Sequence, residues 1–455
     1  MEANKPSSDE RVDIAYGSGG YLEFAWCNRI DDKAIIAGWV SHDPDLTPWI
    51  EYADGHRISL NDDAIRFGRQ DLVDSKHPAL GRVGGINAAF VRSVSNVQEG
   101  DLLRLVLVNK ANQSMLLSEV AATPLPRDPV SAFRQVMGLS TPQARLSERF
   151  RKVDWQVLAA MNDLQVKRWQ ALPVQAHQVG PVCVAPEVSV IIPLYKRFDF
   201  VEPQLLKFSQ DAWLRAKAQI IYVIDDPSLV DVMRTNAATL YDLYRVPFQW
   251  VWGHANRGYA GANNLGVSIA KAPQFVFLNS DVFPIKPGWL QELIAVLNDR
   301  PDLGAIAPLL LHTDQTIQHA GMSFRYSDEF DIWTNYHDDR GLNPMLTTRC
   351  GLVEVPAVTG ACLAVRRSDL QAVGGWDTGY LVGDFEDSDL CLSLRAKGLG
   401  SACLMTVSLT HLERQSFTAL GDPGFRTCVV ILNAVRHQTR WGATIEQIAQ
   451  SKMAG

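Results

Sequence analysis

The sequence predicts an all-β, sandwich-like domain over residues 12–125, followed by an α/β domain over residues 187–442 built on a doubly wound, mainly parallel sheet. A helical connector (126–186) joins them, and a short tail (443–455) ends the chain. Three observations carry this reading. Short alternating or apolar stretches separated by turn residues fill the first region, as strands of a sandwich do. Pro124-Leu-Pro-Arg-Asp-Pro129 and Val179-Gly-Pro-Val-Cys-Val-Ala-Pro186 bracket a segment rich in helix formers. Beyond the second break, fully apolar runs alternate with helical segments, the pattern of strands covered on both faces.

In the first region the strand candidates are Tyr21-Leu-Glu-Phe-Ala-Trp26, Ala34-Ile-Ile-Ala-Gly-Trp-Val40, Ile58-Ser-Leu60, Leu102-Leu-Arg-Leu-Val-Leu-Val108 and Met115-Leu-Leu-Ser-Glu-Val120. Trp26, Trp39 and Trp49 offer flat rings on which a sugar can stack. Aromatic residues are favoured in strands and small β cores, so core packing is the expectation for them. Gln143-Ala-Arg-Leu-Ser-Glu-Arg-Phe150 and Trp155-Gln-Val-Leu-Ala-Ala-Met161 supply the connector's helices. In the α/β region the strands are Val188 to Leu194, Ile220 to Ile224, Phe248 to Trp252 and Phe275 to Leu278, with helices reaching to about Lys217, to about Tyr244 and onward from Ala260. Ligands of such sheets bind beyond the carboxyl ends of the strands.

Composition narrows the function. With 43 Lys and Arg against 50 Asp and Glu the formal net charge is −7, which argues against general nucleic-acid affinity because phosphate neutralisation needs concentrated cations. The start, Met1-Glu-Ala-Asn-Lys-Pro-Ser-Ser-Asp-Glu10, lacks the apolar core of a secretory signal, and no apolar run approaches the ~20 residues that span a bilayer. A cytoplasmic protein without a transmembrane anchor is expected, with peripheral contact at the inner membrane face and a homo-oligomer left open. Seven cysteines (27, 183, 350, 362, 391, 403, 428) without a Cys-x-x-Cys spacing suit free thiols in a reducing compartment.

Three predicted strand ends deliver polar residues: Pro193-Leu-Tyr-Lys-Arg197, Asp225-Asp-Pro-Ser228 and Asn279-Ser-Asp281. Between the last two, Asn256-Arg-Gly-Tyr-Ala-Gly-Ala-Asn-Asn264 is a small-residue turn opening a helix. Its glycines allow close backbone approach and expose helix amides, so Asn256, Gly258 and Asn263 are candidates for a diphosphate or base edge. Farther on, Val358-Thr-Gly-Ala-Cys-Leu-Ala-Val-Arg-Arg367 precedes Gly374-Gly-Trp-Asp377 and the acidic cluster Gly383-Asp-Phe-Glu-Asp-Ser-Asp389, from which a helix starts with Leu390, Cys391 and Leu394 on its buried side. Acids in a first turn complement the helix dipole, worth only about 0.3–1 kcal/mol each.

In order and spacing these segments, from about Val188 to Phe417, resemble the inverting family 2 glycosyltransferases of the GT-A fold, as found in bacterial surface-polysaccharide synthesis. The resemblance covers roughly half the chain and does not reach the β domain. It implies that Pro193, Tyr195, Asp225 and Asp226 hold the nucleobase and ribose of a nucleotide-sugar donor. Lys196 and Pro227 stand where the family usually has Asn and Gly. Asn279-Ser280-Asp281 matches the family's metal-binding Asp-x-Asp and keeps only its last carboxylate, so Asp281 would bind a divalent cation, magnesium or manganese, with Asn279 beside the phosphates. His411, in His411-Leu-Glu-Arg-Gln-Ser-Phe417, matches a metal-binding histidine and would favour manganese.

The same resemblance makes Asp387 the general base, which takes the proton of an acceptor hydroxyl as its oxygen attacks the anomeric carbon. Glu386 would orient the acceptor, a glycan or lipid-linked glycan, and Trp376 would stack on it. Two other classes compete. A sugar nucleotidyltransferase would also join an α/β nucleotide fold to an aspartate-bound metal, but leaves Glu386-Asp387 and His411 without a role. A non-catalytic glycan-binding or scaffold protein would suit the reduced Asn279-Ser-Asp281 motif, but leaves Asp281, Asp387 and His411 unexplained.

Overall fold

A computed structural model of the chain describes residues 19–41, 44–69, 88–412 and 422–453. The expectations for the polar amino terminus, for the rest of 12–125 and for Glu413 to Phe417 lie outside the described residues. The chain divides into two compact units, Met1–Asp163 and Leu164–Gly455. The division falls inside the helix Trp155–Ala171 rather than at the predicted break near residue 186.

In the first unit, strands Ile65–Phe67, Ala89–Ser95, Lys33–Val40, Gly20–Cys27 and Thr123–Pro124 form one sheet in that order, and Arg57–Ser59, Leu46–Glu51, Leu102–Asn109 and Ser114–Ala121 form a second. Leu22, Ile36 and Phe90 of the first share one apolar core with Ile50, Leu105 and Leu107 of the second. Strand alternation supplies this core from every second residue. Trp39 is buried, whereas Trp26 keeps part of its surface and stacks on Phe24 at 4.0 Å between ring centroids, and Trp49 is partly exposed. Helix Pro129–Val136 follows, with Asp128 as its N-cap accepting from the Ser131 N–H. The fully buried Arg149 guanidinium bonds Asp154 (3.2 Å), the Val136 and Leu139 carbonyls and the Thr141 hydroxyl, partners that make a buried charge tolerable.

In the second unit, Val188–Leu194, Ala218–Ile224, Phe248–Trp252 and Gln274–Leu278 are parallel neighbours with the order 248, 218, 188, 274 across the sheet. Helices cross between them, as parallel strands require. Gly266 makes the closest of these packings possible: a Cβ there would lie 2.3 Å from the Ile191 side chain. The remainder differs from the mainly parallel sheet expected. Cys362–Arg366 runs antiparallel to Gln274–Leu278, Leu303–Leu311 antiparallel to Cys362–Arg366, Gly400–His411 parallel to Leu303–Leu311, and Val282–Pro284 antiparallel to Gly400–His411. On the opposite edge Gln175–Val179, expected to be connector, pairs antiparallel with Phe248–Trp252. The sheet is therefore mixed, although Leu303–Leu311 and Gly400–His411 each follow a helix, Trp289–Asp299 and Glu386–Arg395.

The expected boundary at residue 442 lies inside one long helix, Pro423–Met453. Its Ile445 and Ile448 pack with Leu392 of the helix Glu386–Arg395, so the carboxy-terminal residues are part of the unit's core rather than a tail. Among the described residues no helix is long and apolar enough to cross a membrane.

Candidate active site

The carboxyl ends of the four parallel strands meet the start of Cys362–Arg366 and the end of Gly400–His411 at one edge of the sheet. Two pairings define this edge: Asn279 N–H bonds the Ala361 carbonyl (2.9 Å), and Val282 faces His411 across the ladder. Ligand-binding groups of an open sheet collect at such an edge because the loops there are free of crossover packing.

On its first side, the Asp225 N–H bonds the Leu194 carbonyl (2.8 Å) and joins two strand ends. The Asp225 Oδ1 accepts the Arg257 N–H at 2.7 Å, and burial pushes this carboxyl well above the usual carboxylate range against the pull of that bond. Arg257 turns back to the Gly253 and Trp169 carbonyls. Asn256 Oδ1 accepts the Gly258 N–H (3.0 Å), and Gly258 takes a left-handed φ of 66° at the start of helix Gly258–Ile269. Asp226 accepts from the Ser228 N–H and hydroxyl and so begins helix Ser228–Tyr244. Pro193 and Tyr195 are partly exposed beside them, with the Lys196 ammonium 5.2 Å from the Tyr195 ring. Asn263 differs from its expected place in this group: it is fully buried beside Tyr259, because it lies on the face of its helix turned to the core.

Next along the edge, Asp281 and His411 come together, the His411 Nε2 standing 3.3 Å from the Asp281 Oδ1 with both residues buried. The Leu412 N–H bonds the Asp281 carbonyl (3.1 Å), so backbone as well as ladder pairing holds the two in register. The buried His411 Nδ1 has no hydrogen-bond partner. A carboxylate and an imidazole fit a divalent cation but make two of about six ligands. Among the described residues no third His, Cys, Asp or Glu groups with them. Asn279 contributes its backbone here, its carbonyl accepting from Gln204 at 3.0 Å.

The third part is the acidic cluster. Asp387 Oδ2 accepts the Gly360 N–H (2.9 Å) and Oδ1 accepts the Ser388 N–H (2.7 Å), which orients the carboxylate at the first turn of helix Glu386–Arg395. Its pKa is raised by burial, opposed by those backbone bonds. Glu386 is buried with its Oε2 unpartnered, and burial together with the neighbouring Asp387 and Asp384 keeps its carboxyl well above the usual range. Trp376 differs from the expected stacking platform. It is 2% exposed, edge-on to Tyr259 and Phe277, and its N–H and carbonyl are both bonded by the Asn264 side chain. An indole buries too much apolar surface to be left at the rim when a core pocket is available.

Several working residues escaped the sequence reading. The Tyr259 hydroxyl donates to the Gly360 carbonyl (2.5 Å), so Tyr259, Gly360 and Asp387 form one chain of bonds. A Cβ on Gly360 would meet the Tyr259 hydroxyl at 2.7 Å, which explains the glycine. The fully buried His319 accepts the Thr359 N–H at its Nε2 (3.4 Å) and faces the His337 Nδ1 at 3.0 Å. Burial and His337 push its pKa well below the ordinary value, so it is a neutral imidazole holding the Thr359-Gly360 turn. Tyr259 and Gly360 lay within quoted motifs; His319 had no local signal.

Residues 189–374 match the model of glycosyl transferase family 2. The chain is 30% identical over 263 residues to the O-antigen biosynthesis protein RfbC of Myxococcus xanthus, covering 55% of this chain and 19% of that protein. It is 33% identical over 162 residues to the uncharacterized protein y4gI of Sinorhizobium fredii, covering 35% of this chain and 17% of that one. The chain thus spans under a fifth of the length of these curated relatives. Among solved structures it is similar to GalNAc-T7 with UDP, GalNAc and Mn2+ (TM-score 0.40, 13% identity, 51% of this chain and 44% of that one). It is also similar to the mannosyltransferase PcManGT from Pyrobaculum calidifontis in complex with GDP-Man and Mn2+ (TM-score 0.37, 16% identity, 69% and 87%).

Proposed function

We propose, from the match of residues 189–374 to glycosyl transferase family 2, that the second unit transfers a sugar, with inversion, from a nucleotide-sugar donor to a hydroxyl of a glycan or lipid-linked glycan acceptor in surface-polysaccharide synthesis. The observation that carries this reading is the convergence of the Asp281–His411 pair and the backbone-held Asp387 at one sheet edge. Pro193, Tyr195, Asp225 and Asp226 bind the base and ribose, and Asn256 with the Gly258 helix start faces the diphosphate, where exposed amides suit an anion. Asp281 and His411 hold a divalent cation, manganese or magnesium, which when bound neutralises charge on the leaving diphosphate. Asp387 takes the acceptor proton; its raised pKa makes it a stronger base than an exposed carboxylate. Glu386, protonated by burial, donates a hydrogen bond rather than accepting a proton. The sandwich-like all-β accessory domain and helical connector serve the acceptor or assembly, and the enzyme acts in the cytoplasm.

The test is a screen of UDP-, GDP- and dTDP-sugars for protection against thermal unfolding with manganese, followed by assay of nucleoside diphosphate release with the donor that binds. Release of a nucleoside diphosphate with an inverted product is expected. Release of pyrophosphate from a nucleoside triphosphate and a sugar phosphate would make the chain a nucleotidyltransferase instead.

A further inference from the structure

The turn that carries the acidic cluster is strained. Val382, Asp384 and Phe385 have φ values of 67°, 85° and 74°, all left-handed and none on glycine. For Val the Cβ branches clash in this region, and Phe385 is the residue from which the helix carrying Asp387 departs. Such conformations persist where surrounding structure over-determines them.

The determining group comes from the far end of the chain. Asn433, fully buried on helix Pro423–Met453, accepts the Leu381 N–H at its Oδ1 (2.9 Å) and donates through its Nδ2 to the Leu381 carbonyl (2.9 Å) and the Gly383 carbonyl (2.7 Å). One amide thus satisfies three backbone groups of a single turn, which no apolar or shorter side chain can do. On its other side the turn closes over the donor-side helix: a Cβ on Gly258 would lie 3.4 Å from the Val382 carbonyl. The same long helix braces the flank of the base-bearing helix, with His437 Nε2 at 3.1 Å from the Ser388 hydroxyl and the Trp441 N–H donating to Asp389 (2.8 Å). These bonds act on Ser388 and Asp389, one and two positions after Asp387; those of Asn433 act on the turn that sets its direction. The turn, Asn433, His437 and Trp441 all lie beyond the family match, which ends at residue 374.

We propose that Asn433 is a positioning residue for transfer, holding the Leu381 to Phe385 turn in its strained form so that Asp387 meets the Gly360 N–H and faces the acceptor; this rests on Asp387 being the base. Asn433 touches neither donor nor metal ligands among the contacts described, so its loss separates turnover from donor binding.

The experiment uses the full chain carrying Asn433→Ala or Asn433→Asp, the latter keeping the shape and the acceptor while losing both donated bonds. Val429→Ala, a fully buried residue of the same helix, controls for general loss of packing. Hydrogen exchange read by mass spectrometry should show peptides within 378–388 exchanging at least about tenfold faster in both Asn433 variants, with 188–194 and 218–226 unchanged. UDP and GDP binding with manganese should stay within about threefold of wild type, kcat should fall at least about tenfold, and its acid limb should move to higher pH as Asp387 loses the Gly360 bond. Unchanged exchange in 378–388, equal loosening by Val429→Ala, or a lower kcat with an unshifted acid limb would each overturn the proposal. Should Asn433→Ala fail to fold, Asn433→Asp decides alone. Asp387→Asn is assayed alongside: if it keeps turnover the base reading fails, while the exchange data still decide whether Asn433 holds the turn.

Discussion

The two sides of the cleft are held by different parts of the chain. On the donor side, Asp225, Asn256 and Asp226 are fixed by neighbours 2 to 32 positions away, all at strand ends or in the turns that follow them. On the base side, Asp387 is held from Gly360, and the turn before it from Asn433, 52 positions beyond. On the proposed function, donor recognition is a property of the parallel sheet, and base placement a property of how a carboxy-terminal helix packs. A change on one side should move binding and a change on the other should move turnover.

The largest expected effect is that of Asp387→Asn, which keeps the carboxylate's shape but cannot take a proton. It should lower kcat roughly a hundredfold to ten-thousandfold with donor affinity nearly unchanged. Steady-state transfer, donor titration and thermal unfolding on one preparation test this, and near-wild-type turnover in a folded variant would remove Asp387 from the role. Asp281→Asn, or excess chelator on the native chain, should weaken donor binding and turnover together, on the order of a hundredfold, because the diphosphate loses its charge partner. Recovery with added manganese better than with magnesium is expected for the chelated enzyme if His411 is a ligand. Full activity in excess chelator would break the donor side of the comparison. Asp225→Asn should raise the donor dissociation constant about tenfold with kcat within a fewfold, the cost of one hydrogen bond being about 0.5–1.5 kcal/mol.

Two smaller effects follow from protonation. Burial raises the Asp387 pKa, and the base works ionised, so kcat should fall as pH drops through a value above the ~4 of an exposed aspartate. A kcat–pH profile with its acid limb at or below that value would contradict the role. Burial and the neighbouring Asp387 and Asp384 raise the Glu386 pKa, so the folded chain keeps that proton to higher pH than the unfolded chain, which releases it at about pH 4.3. Its stability contribution is full below the unfolded value and is lost as pH rises toward the folded one. Glu386→Gln removes this loss, so the variant should gain stability over wild type as pH goes from 5 to 8. A rise of about 2–4 °C in unfolding temperature corresponds to about 1 kcal/mol.

Much of the parallel half of the sheet and its polar strand ends was legible, because a strand buried on both faces must be written as an apolar run and must end where polarity returns. Asp281 and His411 were singled out from motif resemblance, and their side chains approach to 3.3 Å. The antiparallel strands Val282–Pro284 and Cys362–Arg366 were not readable as such: periodicity marks a strand but carries no direction. Trp376 and Asn263 were assigned to the cleft because their types suit sugar and phosphate, and burial reversed both. A side chain's type states what it can bind, and only packing states what it faces.

By itself the sequence determined the order of elements, the apolar runs of the sheet and the local motifs of its turns, since these depend on neighbours within a few residues and on side-chain character. Tertiary structure decided which way each strand runs, that the helix through residue 442 belongs to the core, and that Asn433 completes a strained turn near residue 382. The physical reason is range: a backbone group can be satisfied by any buried amide that folding brings near, and nothing in the residues flanking either partner records the pairing.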